Sequence, residues 1–242
     1  MLTILFSPSE GKHSGGNTQQ QELFGATEAR KTILEAYSSI VLSQNRAEIQ
    51  ELFGFKKFSD CKPYIVDIFN TALMPAIARY DGVAYDYLQY KDQQSNTQSY
   101  LREHTIIFSN LYGPILGGDT IANYKVKQGN SIGDIAPDKF YKDRFSYQLD
   151  LYLQDKDVLD LRAGYYDKFY KVTKPYTTLK FLKEGKVVSH WAKAYRGIVL
   201  REVAKAGIDS LEAFNSLEIE GLSVHEIKKT KNKTEIVYNI VE

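Results

Sequence analysis

A glycine-rich stretch near the middle of the chain carries three polar side chains of types that build chemical sites. Residues 105–108 form a short apolar run that predicts a buried strand, and three glycines and a proline follow within residues 113–118. Ser109 supplies a hydroxyl group, Tyr112 a phenol and Asp119 a carboxylate. Polar groups on a glycine-rich loop after a buried strand commonly form a binding or catalytic site. The alternative is an ordinary turn in which Asp119 caps the next helix.

A second polar stretch follows the N-terminal strand. Residues 2–6 predict a buried strand that ends before Pro8, and Ser9, Glu10 and Lys12 come soon after it. Glu10 has the chemistry for acid or base catalysis, and Lys12 can contact an anion. The alternative is a solvated loop.

These two stretches are predicted to meet in one pocket. Parallel neighbours in an open sheet carry such loops along one edge, so the loops after residues 2–6 and 105–108 would lie side by side. Glu10 and Asp119 would then share this pocket. The candidate catalytic residues are Ser9, Glu10, Ser109, Tyr112 and Asp119.

A pair of cations near the start of a predicted helix is the third candidate. The helix begins at His190, and Lys193 and Arg196 share one of its faces. Two cations near the positive end of a helix dipole cost about 0.3–1 kcal/mol each unless an anion binds there. Arg196 suits bidentate phosphate recognition, and Gly197 leaves room for a close approach. The alternative is two solvated charges.

Alternating apolar segments predict a single compact α/β domain over residues 1–242, of mixed α+β type, with a central mixed sheet flanked by helices. The predicted strands are residues 2–6, 105–108, 158–162, 177–182, 186–191, 222–227 and 234–241. The predicted helices are residues 22–43, 46–53, 63–78, 98–103 and 190–205. Residues 125–144 are predicted to be irregular, and residues 147–153 fit either a strand or a short helix.

An element with the outline of a helix-hairpin-helix lies in the first third of the chain. The predicted helix 46–53 ends at Gly54, Lys56 and Lys57 follow, and a second helix is predicted over residues 63–78. In such an element, backbone N–H groups and lysines hold a DNA phosphate. The alternative is an ordinary helical turn.

Composition limits the classes of function. The 242 residues include 31 basic and 30 acidic side chains, for a net charge of +1, so nucleic-acid binding needs a local basic patch. The single cysteine, Cys61, fits a reducing compartment without an intramolecular disulfide.

The apolar N-terminal run is short for a signal peptide, and no run approaches a membrane span, so we predict a cytoplasmic protein without membrane contact. Four scattered histidines, with no dinucleotide fingerprint or hydrolase elbow, predict neither metal nor cofactor.

Five segments of the sequence together resemble the YaaA family of peroxide stress proteins. They fall in the order of the family and span nearly the whole chain. The central segment reads Ser-x-Leu-Tyr-Gly followed by Asp at the full family spacing. The segments are residues 7–12, 80–85, 109–119, 124–125 and 192–197.

The resemblance implies a cytosolic protein linked to peroxide defence and to the control of intracellular iron. It also implies a compact α/β fold of its own kind, with a basic cleft and a helix-hairpin-helix element that bind double-stranded DNA. The residues that would contact this nucleic acid, or another anion, are Lys12, Tyr124, Lys125, Lys193 and Arg196.

The chain departs from the family pattern at several positions. Val83 stands where the family often has an acidic residue. Lys125 and Lys127 stand around Tyr124, where the family usually has Arg and Glu. Tyr165 falls where a family block has Glu. These departures indicate a divergent branch and weaken the transfer of a molecular activity more than the transfer of the fold.

Three functions remain open at this point. The leading one is a DNA-binding protein of the stress response that protects against oxidative damage. The second is an enzyme acting on a nucleobase, nucleoside or nucleotide through a pocket of Glu10, Ser109 and Asp119. The third is an interaction or iron-handling protein without catalysis, against which the lack of soft metal ligands counts.

Overall fold

A mixed sheet of eight strands forms the centre of the molecule. This computed structural model describes residues 1–18, 20, 23–25 and 27–241. The strands are β1 (Leu2–Phe6), β2 (Gly11–Lys12), β3 (Met74–Pro75), β4 (Tyr80–Asp81), β5 (Thr105–Ser109), β6 (Gly113–Leu116), β7 (Thr120–Ile121), β8 (Asp157–Asp160), β9 (Tyr176–Lys183), β10 (Lys186–Val187), β11 (Leu222–Lys229) and β12 (Lys233–Ile240). The helices are α1 (Lys31–Leu42), α2 (Arg46–Phe53), α3 (Ala76–Arg79), α4 (Val83–Leu88), α5 (Ser95–His104), α6 (Pro137–Leu153), α7 (Ser189–Lys205) and α8 (Leu211–Asn215).

Strand β1 is the organising strand of the sheet. The strand order is β11-β12-β9-β8-β1-β5-β6, and β10 pairs with β9. Strand β1 pairs in parallel with β8 on one side and with β5 on the other. All five of its residues are buried, as expected of a parallel strand covered on both faces. The predicted fold class, a single compact α/β domain with a mixed sheet and helices, is confirmed.

Local sequence signals explain the elements that were predicted with correct bounds. Helix α2 begins after Asn45, whose side chain accepts a hydrogen bond from the N–H of Glu48. It ends at Gly54, whose φ of 74° is the left-handed conformation that glycine adopts without strain. The predicted β9–β10 and β11–β12 hairpins are also present, although α7 replaces the end of the strand predicted over residues 186–191.

The second helix of the predicted helix-hairpin-helix is absent. After α2, Phe58–Tyr64 form a 3-10 helix, residues 65–73 are irregular with a turn at 68–69, and the chain then enters β3 and α3. Pro75 lies inside the predicted helix over residues 63–78, and a proline breaks the interior of a helix. The prediction of one helix over residues 63–78 is therefore wrong.

Two other predictions are corrected by the structure, and a third is narrowed to one of its two alternatives. The helix predicted over residues 22–43 is α-helical only at Lys31–Leu42, and a 3-10 helix at Glu28–Arg30 precedes it. Residues 19, 21, 22, 26 and 242 lie outside the described residues. Residues 147–153 belong to the long helix α6, which also covers part of the segment predicted to be irregular. In the part of the chain that the structure describes, no helix is long and apolar enough to cross a membrane.

The glycine-rich stretch 109–119 is a β-hairpin and not an open loop. Strand β6 pairs antiparallel with β5, with Ser109 opposite Gly113 and Ile106 opposite Leu116. The buried guanidinium of Arg30 holds the hairpin by donating hydrogen bonds to the carbonyl oxygens of Tyr112 (2.7 Å) and Pro114 (2.6 Å).

Candidate functional site

A cavity of about 420 Å³ opens at the carboxyl ends of β1 and β8. One wall is the loop that follows β1, a second is the start of α4, and a third is one face of α7. Its apolar lining includes Phe6, Tyr85, Leu161 and Tyr166. This position agrees with the rule that ligands of open α/β sheets bind beyond the carboxyl ends of the strands.

The loop after β1 is fixed by hydrogen bonds from two neighbouring segments. The phenol of Tyr85 donates to the carbonyl oxygen of Ser7 (2.9 Å), and the N–H of Ala163 donates to Ser7 Oγ (2.8 Å). Gly82 lies against this loop with a φ of 137°, and a Cβ there would lie 2.6 Å from Ser9 Oγ. Glycine is therefore required at position 82 for both its backbone conformation and its close contact with the loop.

Glu10 lines the cavity as an ionised carboxylate. Its Oε2 lies 2.8 Å from Lys125 Nζ, and its Oε1 accepts a hydrogen bond from the N–H of Gln128 (3.0 Å). Burial alone would raise the pKa of Glu10, but these two hydrogen bonds and the charges of Lys125 and Lys12 outweigh burial, so the pKa lies below its usual value. Glu10 is a hydrogen-bond acceptor at neutral pH and not an acid.

Lys12 is buried behind the cavity and does not line it. Its Nζ donates to the carbonyl oxygens of Ser9 (3.2 Å) and Glu10 (3.4 Å) and lies 3.9 Å from the centre of the Tyr124 ring. Burial, followed by the charge of Lys125, holds the pKa of Lys12 well below its usual value. The sequence predicted that Lys12 and Lys125 contact an anionic ligand. Both side chains are instead buried, and the ammonium group of Lys125 pairs with Glu10.

The depressed pKa of Lys12 predicts that the free energy of unfolding depends on pH. Between the folded pKa of Lys12 and its higher unfolded pKa, the unfolded chain binds more protons, so stability rises with pH by at most about 1.4 kcal/mol per pH unit. We expect this rise as the pH increases towards about 10, the usual pKa of an unfolded lysine, in urea denaturation of the wild-type protein, and a flatter profile for Lys12→Met. Parallel profiles for the two proteins would contradict the effect of Lys12.

Ser109 and Tyr124 form a buried polar cluster that connects the hairpin to β4. Tyr124 Oη lies 2.7 Å from Ser109 Oγ and 2.9 Å from Tyr80 Oη. Ser109 Oγ also accepts the N–H groups of Leu111 and Tyr112. Burial raises the pKa of Tyr124 to about 12. Ser109 is fully buried, so it stabilises the hairpin turn and has no access to a substrate.

Tyr112 and Asp119 also have structural roles. Tyr112 is fully buried, and its Oη accepts the N–H of Ala122 (3.4 Å). Asp119 Oδ2 accepts the N–H groups of Leu116 (3.0 Å) and Phe24 (2.5 Å). Because β6 runs back along β5, Asp119 lies near the start of β5, whereas Glu10 follows the carboxyl end of β1. The predicted pocket shared by Glu10 and Asp119 is therefore wrong.

Lys193 and Arg196 line the cavity from α7, as the sequence predicted for one helical face. Neither makes a hydrogen bond or ion pair with any residue that the structure describes. Burial lowers the pKa of Arg196, and the nearby carboxylate of Asp160 opposes this effect. Asp160 is itself engaged by Arg162, at 2.9 and 2.7 Å. Arg196 thus presents to the cavity a partly buried cation that no described residue pairs with, which is the property of an anion site.

Comparison with known proteins identifies the family. A family model described as peroxide stress protein YaaA matches residues 1–228. The chain belongs to this family. It is 40% identical to an uncharacterised protein of Campylobacter jejuni, with the whole of both chains covered. It is 29% identical to a UPF0246 protein of Corynebacterium glutamicum, over 92% of this chain and 91% of the relative. A UPF0246 protein of Fusobacterium nucleatum is 23% identical over 93% and 94%, respectively.

The cavity of this YaaA-family protein brings together three of the segments on which the resemblance rested. Residues 7–12, 80–85 and 192–197 all contribute to its lining, whereas 109–119 lies in the hairpin outside it. Gln128 and Tyr166 also line the cavity, and neither was predicted from the sequence. Gln128 lies in a segment predicted to be irregular and had no signal, but Tyr166 follows the family block that contains Tyr165.

Gly197 has a different role from the one predicted. It does not leave room for a ligand, because a Cβ at this position would lie 2.0 Å from the carbonyl oxygen of Ala84. The glycine instead allows α7 to pack directly on α4, which holds Arg196 at the cavity wall. Within the described residues, no group of three or more His, Cys, Asp or Glu side chains is placed to hold a metal ion.

Proposed function

We propose that this YaaA-family protein binds a small nucleotide-like anion in the cavity between the β1 loop, α4 and α7. The observation that supports this proposal is the cation of Arg196, which lines the cavity without a hydrogen bond or ion pair to the described residues. Lys193 adds a second positive charge one turn away. A guanidinium group beside an ammonium group suits phosphate recognition.

The size and walls of the cavity support a small molecule with an aromatic part. Its volume of about 420 Å³ lies in the usual range of ligand sites, about 300–1,000 Å³. Phe6, Tyr85 and Tyr166 provide apolar aromatic surface against which a base can pack. The proposed setting is protection against oxidative damage and control of intracellular iron, as the family resemblance implies.

Binding is favoured over catalysis by the placement of the candidate catalytic residues. Ser109, Tyr112 and Asp119 are buried outside the cavity. Ser9 and Glu10 do line it, but Glu10 is engaged by Lys125. An enzyme acting on a nucleotide would have to work with these two residues and the cations of α7.

Removal of the Arg196 cation should abolish most of the binding. We expect Arg196→Ala to weaken binding of a nucleoside monophosphate by about 30-fold, since hydrogen bonds to charged groups contribute about 1.5–3 kcal/mol. Arg196→Lys should recover part of the affinity, because lysine keeps the charge without the planar fork. Isothermal titration calorimetry on a panel of nucleoside monophosphates, with circular dichroism to check folding, measures this effect.

The matched control is Lys186→Ala, which removes an exposed positive charge on β10 outside the cavity. This variant should bind as the wild type does, because its effect is limited to screened long-range attraction. Equal affinities of the wild type, Arg196→Ala and Lys193→Ala would contradict the proposed site.

Double-stranded DNA is the second candidate ligand. Lys193 is exposed and lines the cavity, so a phosphate of a duplex at the opening would meet it beside Arg196. With Lys12 and Lys125 engaged inside the protein, about two phosphate contacts remain, so the slope of log K against log salt should be about −2. Fluorescence anisotropy with a labelled duplex measures the slope. No binding at low salt, or an affinity independent of salt, would reject this candidate.

A further inference from the structure

The carboxylate of Glu10 gives the cavity a second, oppositely charged recognition group. The Glu10 side chain is 42% exposed, and it lines the same cavity as Arg196. Its nearest cation is Lys125, whose side chain is only 9% exposed. Among the described residues, Glu10 makes no ion pair with Arg196 or Lys193. The cavity therefore holds an acceptor group and a cationic group that do not neutralise each other.

Two hydrogen bonds fix the orientation of this carboxylate. Lys125 Nζ approaches Oε2, and the backbone N–H of Gln128 approaches Oε1. Each carboxylate oxygen has two lone pairs, so each retains one acceptor position after these bonds. A pre-oriented acceptor loses little conformational entropy when a ligand donates to it.

An occupant with negative groups alone would leave these acceptor positions unmatched. A ligand that also carries N–H donors can satisfy Glu10 while its phosphate meets Arg196. The analogue with hydrogen in place of the amino group would offer no donor to the carboxylate at that position, which is unfavourable. Sites that hydrogen-bond a polar group of their ligand reject analogues that lack it.

We propose that Glu10 selects, at the nucleotide site proposed above, monophosphates whose base carries an amino group. The inference rests on that proposed function, since it assigns the base-recognising end of the same cavity. Glu10 is a specificity-determining residue that accepts a hydrogen bond from the ligand, and Arg196 and Lys193 bind the phosphate. Hydrogen bonds to a charged group of this kind should give a preference of about 10- to 100-fold.

The test compares nucleotides that differ in one amino group. The pairs are adenosine with purine-riboside monophosphate, cytidine with 2-pyrimidinone-riboside monophosphate, and guanosine with inosine monophosphate, each titrated calorimetrically into the full chain. In each pair that binds, the amino-bearing member should bind at least 10-fold more tightly to the wild type. Glu10→Gln should reduce this preference to below about 3-fold.

The matched control is Gln128→Ala, which removes a neighbouring polar side chain but keeps the backbone N–H that orients Glu10. It should retain the preference. If Glu10→Gln does not fold, the comparison of each pair on the wild type still tests the predicted preference for amino-bearing bases. Equal affinity within every pair would overturn this inference and leave the proposed function standing, whereas no binding of any monophosphate would reject the proposed function itself. A preference lost in Gln128→Ala but kept in Glu10→Gln would also overturn the inference.

Discussion

Arg162→Leu should lower the free energy of unfolding by about 3–5 kcal/mol, because it leaves a buried carboxylate without its cation. The guanidinium of Arg162 is fully buried and makes two hydrogen bonds to Asp160, at 2.9 and 2.7 Å. It also donates to the carbonyl oxygens of Tyr166 (3.1 Å) and Tyr170 (2.9 Å). These contacts tie the end of β8 to the segment that forms the cavity wall.

Urea denaturation of the wild type and Arg162→Leu measures this loss directly. The double variant Asp160→Asn/Arg162→Leu removes the stranded charge as well, so it should regain at least about 1 kcal/mol relative to Arg162→Leu. A loss below about 1 kcal/mol in Arg162→Leu, or no recovery in the double variant, would contradict the buried ion pair as a source of stability.

Gly197→Ala should lower the free energy of unfolding by about 3 kcal/mol. The added Cβ would lie 2.0 Å from the carbonyl oxygen of Ala84 and 2.9 Å from its carbonyl carbon. Both are backbone atoms, so α7 and α4 would have to separate, and overpacking of this kind costs about 1–3 kcal/mol or more. Because Arg196 precedes Gly197, the same shift should weaken ligand binding.

The matched control is Gly164→Ala. A Cβ at Gly164 has no atom within 4 Å, and its φ is outside the left-handed region. This variant should therefore be as stable as the wild type or more stable by up to about 1 kcal/mol. Chemical denaturation of both variants under the same conditions measures this difference. Equal stability of Gly197→Ala and Gly164→Ala would contradict the prediction that the added Cβ destabilises the contact between α4 and α7.

The sequence predicted those elements whose signals are local. Strand β1 is a continuous apolar run, and α2 lies between Asn45 as its cap and Gly54 as its terminator, so their bounds were correct. The hairpin at 109–119 was missed because Gly113 and Pro114 are unfavourable in isolated strands. They are stabilised here by pairing with β5 and by Arg30, which is far away in the sequence.

The site was predictable in its residue types and not in their pairing. The sequence assigned the two cations of α7, and Ser9 and Glu10 of the loop after β1, to the site. All four of these residues line the cavity. In the sequence, Lys12 and Lys125 had the same apparent access to a ligand. In the structure, Lys12 is buried over the ring of Tyr124, and Lys125 pairs with Glu10. Such partners depend on long-range contacts, which no spacing along the chain reveals.

A crystal structure of the protein with a bound nucleoside monophosphate tests the central claim most directly. The measured quantity is the distance from the phosphate oxygens to the guanidinium of Arg196. We expect a single ligand in the cavity with its phosphate within about 3 Å of that group, the usual distance of a charge-assisted hydrogen bond. A ligand bound elsewhere, or oriented with its phosphate away from Arg196, would contradict the proposed site.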